Sequence, residues 1–108
     1  MKAFILGAGT YGEVYASYLH EAGIKIEGFL DDNKLLHGKV INNIPIIGDT
    51  EYLKNIANPA QYAVYCPIGN NIVRVKLLSL ARSLGFITPN FIHRSVLISP
   101  NVNIAKYQ

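Results

Sequence analysis

Short apolar runs alternate along this chain with stretches in which apolar residues recur every three or four positions. Lys2-Ala-Phe-Ile-Leu6 is apolar after its first residue and suits a strand covered on both faces. Val14, Tyr15, Tyr18, Leu19 and Ala22 follow at helical spacing and Gly23 stops them, which predicts a helix over Glu13 to Ala22. Ile24 to Leu30 reads as a second strand, with Ile24, Ile26, Gly28 and Leu30 alternating against Lys25, Glu27 and Phe29; Asp31-Asp32-Asn33 turns the chain at its end. After a polar connection, Ile44 to Ile47 is a third strand, and Pro45, which has no amide hydrogen for a ladder, argues for a sheet edge. Thr50 is the expected cap of a short helix carrying Leu53, Ile56 and Ala57, ended by Asn58-Pro59. Tyr62 to Cys66 is the fourth strand. Pro67 to Asn71 leads into the longest helix, with Val73, Leu77, Leu80, Ala81 and Leu84 on one face and Gly85 as its stop, before a fifth strand over Ile87 to Ile92.

Strand and helix thus alternate, with crossovers long enough for parallel pairing. The fold class is α/β, a doubly wound parallel sheet of order 3-2-1-4-5 with helices on both faces. No linker composition interrupts residues 1 to 92, which read as one domain.

Gly7-Ala-Gly-Thr-Tyr-Gly12 sits between the first strand and the first helix. A helix amino end has unpaired amide hydrogens and a partial positive charge, so a phosphate there is both hydrogen-bonded and electrostatically favoured. In that reading Gly7 permits the tight turn, Gly9 lets the ligand approach and Gly12 lets the helix pack on its strand. Asp31 lies 19 residues beyond Gly12, the spacing of the acid in dinucleotide sites. The motif names a phosphate and not a molecule. The crevice of such a sheet opens where strand order reverses, between the first and fourth strands, which places Asp31 and Cys66 to Asn71 around one mouth. Asp31 and Asp32 can accept from ribose hydroxyls or from a base, or can simply bond their own turn. Asn70 or Asn71 can cap the long helix, contact a ligand, or do both, and Arg74 can reach a phosphate or lie solvated.

Composition narrows the rest. The 108 residues are half hydrophobic, enough for one core and a cofactor-sized crevice. No apolar run approaches a membrane span and the amino terminus lacks a secretory pattern, so the expectation is a soluble, cytoplasmic protein. Cys66 is the single cysteine, which excludes an intrachain disulfide and reads as a small buried hydrophobe. His20, His37 and His93 have no metal-ligand spacing, so neither a metal nor a catalytic histidine is expected. The net charge of +3 hides an asymmetry: residues 1 to 51 hold four bases and seven acids, whereas residues 52 to 108 hold six bases and no acid. Such a distribution favours an anionic ligand, but the bases are scattered and form no nucleic-acid patch.

In the tail, Val96 and Val102 lie six apart, as do Ile98 and Ile104. Period six marks a left-handed parallel β-helix, so residues 93 to 108 are expected to begin one, cut short before its coils can stack.

GAGTYG, GFLDDN, NIPIIGDTEYL, PIGNN and FIHRSVLISPNVNI, in that order, resemble the amino-terminal domain of bacterial sugar O-acyltransferases and UDP-amino-sugar N-acetyltransferases of the NeuD or PglD type. The resemblance spans nearly the whole chain. It implies a Rossmann-like domain that grips a UDP-sugar, followed by a hexapeptide β-helix that binds acetyl-CoA, supplies the catalytic histidine and forms trimers. It implies substrate contacts from Gly9 to Gly12, from Asp31, Asp32 and Asn33, and from Ile68, Gly69, Asn70 and Asn71. Members of the family commonly carry Gly-His where this chain has Thr10-Tyr11, and His-Pro-Ser where it has His93-Arg94-Ser95. Tyr11 can still donate a hydrogen bond to a ligand.

The leading expectation is therefore a nucleotide-sugar-binding domain of an acyltransferase in surface-glycan biosynthesis, with no cofactor of its own. Binding without turnover is the expectation for these 108 residues alone. An NAD-binding regulatory module is the alternative, since the glycines and the acid suit a dinucleotide as well. An interaction scaffold with a vestigial crevice is the third.

Overall fold

The computed structural model describes residues 1 to 89. β1, Lys2–Leu6, is central: it pairs in parallel with β2, Lys25–Leu30, on one side and with β5, Tyr62–Tyr65, on the other. Its run of apolar residues is explained by this position. Ala3 and Ile5 face one layer of core, with Tyr15, Ala16 and Leu19 of α1, Thr10–Glu21. Phe4 and Leu6 face the other, with Leu78 and Ala81 of α2, Asn71–Ser83. Two helices on opposite faces of one sheet give the expected doubly wound α/β architecture.

The complete sheet is mixed, in the order β3-β4-β2-β1-β5. β4, Ile44–Gly48, runs parallel to β2, and β3, Val40–Ile41, runs antiparallel to β4. The expected order 3-2-1-4 is present in β4, β2, β1 and β5. Pro45, however, does not lie in the edge strand. Asn42 and Asn43 both have positive φ, 51° and 65°, and close a two-residue hairpin that adds β3 outside β4. At the opposite side Ile87 bridges to Ala63 in parallel, where the fifth strand was expected to start; Thr88 and Pro89 do not continue it as a strand, and residues 90 to 92, with the whole period-six tail, lie outside the described residues.

Four local expectations shift. The register of β2 against β1 slips between Ala3 and Phe4, whose partners are Ile26 and Gly28, so Glu27 is the extra residue of a bulge. One added residue inverts the parity of everything after it. Ile26 and fully buried Phe29 consequently share the α1 face, although simple alternation separates them. The segment after β4 is a 3₁₀ helix, Thr50–Asn55, capped by Asp49, whose side chain accepts from the Glu51 amide; Thr50 itself is buried. The buried stripe of α2 is Arg74, Leu78 and Ala81, with Leu77 and Leu84 half-buried and Val73 exposed. An arginine inside the stripe interrupts its apolar pattern, which is why the sequence favours the neighbouring rows. In α1, Val14 and Ala22 are likewise exposed, and Ala16 and Gly12 take the packing positions.

Candidate functional site

At the carboxyl ends of β1 and β5 an open crevice of about 260 Å³ is lined by Gly7, Gly9, Tyr11, Gly12, Asp31, Pro67, Ile68 and Gly69. The glycines make it possible. Gly7 has φ +101°, a left-handed conformation that lets the chain leave β1 and turn at once into α1. A Cβ on Gly12 would stand 2.1 Å from the Gly7 carbonyl oxygen, so only glycine lets the helix lie this close to the turn. A Cβ on Gly9 would meet nothing within 4 Å. That empty space lies over the helix amino end.

Gly9 is also the N-cap of α1 and brings no side-chain acceptor to the amides of the first turn. The contrast with α2 is informative. Its N-cap, Asn70, accepts from the Val73 amide at 3.1 Å, so one of its free donors is already satisfied from within the chain. Of the two helices that begin at this mouth, α1 has no side-chain cap on its first-turn amides, whereas α2 has one of its own taken by Asn70.

Asp31 fixes the glycine turn to the end of β2. One carboxylate oxygen accepts from the Ala8 amide and the other from the Asn33 amide, both at 2.9 Å. The Gly7 amide adds a bond to the Leu30 carbonyl at 2.8 Å. Asp31 therefore shapes the floor of the crevice as well as lining it, and each carboxylate oxygen keeps a second lone pair for a ligand. Asp32 points elsewhere: its carboxylate accepts from the Thr50 amide at 3.0 Å and from the Thr50 hydroxyl at 2.7 Å. These two bonds hold its carboxyl below the usual carboxylate range. Asn33 caps a 3₁₀ turn, Lys34–Leu36, by accepting from the Leu35 amide. Asp32 and Asn33 thus secure the turn behind Asp31.

His37 completes this arrangement from a position at which the sequence carried no signal. Its Nε2 lies 2.7 Å from the Asp31 carbonyl oxygen, to which it donates. Only the folding of the 31–38 loop brings it there. Pro67 lines the crevice within the Cys66 to Asn71 segment that the sequence placed at its mouth. On the opposite wall, Tyr11 is 62% exposed and its ring lies 3.7 Å from the position a Cβ would take on Gly69. An aromatic face and a phenol hydroxyl are thereby presented to whatever occupies the crevice.

Arg74 is not solvated. It is 5% exposed, and it donates to the Ile68 carbonyl at 3.3 Å and to the Asn71 side-chain oxygen. Asn71 accordingly braces the loop rather than lining the crevice. Cys66 is buried at the end of β5, and burial pushes its thiol up to about 12. A thiol so placed stays protonated at neutral pH and is no nucleophile. Among the described residues no three His, Cys, Asp or Glu side chains gather as metal ligands, and no helix is long and apolar enough to cross a membrane.

The chain as a whole has counterparts among known proteins. The profile of the PglD N-terminal domain family matches residues 2–80. The chain belongs to this family. Among solved structures, the acetyltransferase domain of PglB from Neisseria gonorrhoeae FA1090 is 36% identical over 86% of this chain, with a TM-score of 0.74. That PglB domain has also been solved in complex with acetyl coenzyme A. A point mutant of perosamine N-acetyltransferase from Caulobacter crescentus, in complex with CoA and GDP-perosamine, is 26% identical over 88% of this chain, with a TM-score of 0.76. The PglD-type chain described here spans 44% of each of these two structures. RSP, a Rex-family repressor solved with β-NADH, is 23% identical with a TM-score of 0.61, a likeness of fold alone.

Proposed function

We propose that this chain is the nucleotide-sugar-binding domain of a sugar acetyltransferase or acyltransferase of surface-glycan biosynthesis, acting in the cytoplasm on a UDP-sugar. The observation that carries this reading is the difference between the two helix ends at the crevice: α2 is capped by Asn70, whereas α1 begins at bare Gly9 with open space above it. Amides of the first turn of α1 would hold a phosphate of the diphosphate. Asp31 would accept from ribose or base, and Tyr11 would meet the ligand from the opposite wall. Thr10, Ile68, Gly69 and Asn70 complete the candidate contact segments, and Asn71 supports them through its bond to Arg74. PglD-type family membership and the ligands of the two acetyltransferases support a nucleotide sugar and an acyl-CoA as the substrates, and UDP as the nucleotide rests on the sequence resemblance. In the complete enzyme, acetyl-CoA would supply the acyl group, and a histidine outside the described residues would take the proton from the attacking sugar amine or hydroxyl.

NAD is the alternative ligand, because Asp31 stands beside the glycine turn where a ribose-binding acid stands in dinucleotide sites. Calorimetric titration of the purified chain with UDP, a UDP-N-acetylhexosamine, GDP and NAD separates the readings. UDP and its amino sugar are expected to bind, and NAD to give no heat. Tight NAD binding without a UDP response overturns the proposal, preference for GDP corrects the base, and silence from all four leaves a scaffold.

A further inference from the structure

Among the described residues, Arg74 is a buried cation with no carboxylate paired to it. Its guanidinium donates to two neutral acceptors, the Ile68 carbonyl and the Asn71 side-chain oxygen. Ion pairs join Lys25 to Glu27 and Lys54 to Glu51, and neither involves Arg74. The second half of the chain has no acid to offer, since every Asp and Glu lies at or before Glu51. Arginine is seldom this buried unless paired, because a charge removed from water loses solvation that neutral acceptors return only in part. Arg74 does not itself line the crevice, but Ile68, whose carbonyl takes one of its two bonds, does.

We propose that Arg74 is the buried counter-charge for a phosphate-bearing ligand in the crevice, acting from behind the Ile68–Asn71 wall that its two hydrogen bonds hold in place. Its charge completes the attraction begun by the amide end of α1 on the other side of the mouth. Buried charges are screened less by salt than exposed ones, so this contribution persists at physiological ionic strength. The ligand's identity as a nucleotide sugar rests on the proposed function; the charge argument concerns its phosphates alone.

The test compares the unmodified chain with Arg74→Gln, Arg74→Lys and Asn71→Ala, titrated calorimetrically with UDP, uridine and inorganic pyrophosphate, with folding verified by circular dichroism. Arg74→Gln is expected to weaken UDP and pyrophosphate by about tenfold or more. Uridine should change by less than about twofold, and Asn71→Ala, which keeps the charge, should affect UDP and uridine alike. Equal loss of UDP and uridine in Arg74→Gln, or no loss of either, overturns the proposal and reduces Arg74 to a brace. If Arg74→Gln does not fold, Arg74→Lys decides: it should retain the preference of UDP over uridine, and loss of that preference overturns the proposal. Pyrophosphate binding that depends on Arg74, in a chain that ignores nucleotides, would defeat the proposed function and leave the counter-charge standing. UDP binding indifferent to Arg74 would do the reverse, and a chain that binds neither defeats both.

Discussion

Gly9 and Gly12 belong to one loop but have separable tasks, and substituting each by alanine tells them apart. At Gly12 the new Cβ would stand 2.1 Å from the Gly7 carbonyl oxygen and 3.1 Å from its carbon. The nearest approach that real Cβ atoms make is about 3.0 Å, so the helix and the turn must separate by close to 1 Å. Both partners are main chain, and neither can rotate away. Overpacking of this kind costs about 3 kcal/mol at the upper end of its usual range, and replacing a helical glycine by alanine returns about 1. The net is roughly 2 kcal/mol of destabilisation, or a fall in Tm of about 8–16 °C for a domain of this size. Gly9→Ala meets nothing within 4 Å and has φ −80°, so its stability should stay within about 1 kcal/mol of the unmodified chain. Its methyl group instead enters the space over the helix end, and nucleotide affinity should fall. Thermal melts followed by circular dichroism, paired with calorimetric titration by UDP, read both quantities. A Gly12→Ala chain that melts at or above the unmodified protein would refute the close-packing argument, and a Gly9→Ala chain that binds UDP normally would refute the placement of the phosphate.

Two further outcomes follow from the ionisable groups. The Thr50 amide and hydroxyl hold Asp32 below the ordinary carboxyl range. Such a group favours folding above its unfolded pKa of about 3.9, and that contribution disappears as the pH falls through its lower folded value. Thr50→Val, which removes the hydroxyl donor, should raise the Asp32 pKa measured by NMR and make acid unfolding less dependent on this carboxyl; an unchanged titration would refute the role of the bond. Burial raises the Cys66 thiol to about 12, so the native chain at pH 8 should resist a disulfide reagent such as DTNB and react with it only in denaturant. Stoichiometric labelling of the folded protein within minutes would show that Cys66 is accessible.

Most of the architecture was legible because it rests on local signals that do not depend on distant partners. The apolar run of β1, the helix after it, the turn Asp31-Asp32-Asn33, and the stops at Gly23 and Gly85 each announce themselves within a few residues. The two-residue hairpin at Asn42-Asn43 had a signal too, since adjacent asparagines tolerate positive φ, but the two-residue β3 was too short to stand out. The bulge at Glu27 had none. Whether a strand admits an extra residue depends on its neighbour's register, and that is a property of the pair.

The same division runs through the crevice. Residue order alone settled that glycines would open a helix beyond a central strand and that an acid would follow the second strand, because spacing along the chain decides both. Tertiary structure alone decided what each polar group does there. Asp31 tethers the Ala8 amide, Asp32 turns to Thr50, His37 returns to the Asp31 carbonyl, and Arg74 is enclosed with the Ile68 carbonyl and the Asn71 side chain as its acceptors. A side chain's charge is written in the sequence, whereas its partner is chosen by which backbone amides, carbonyls and carboxylates the fold brings within about 3 Å and shields from water.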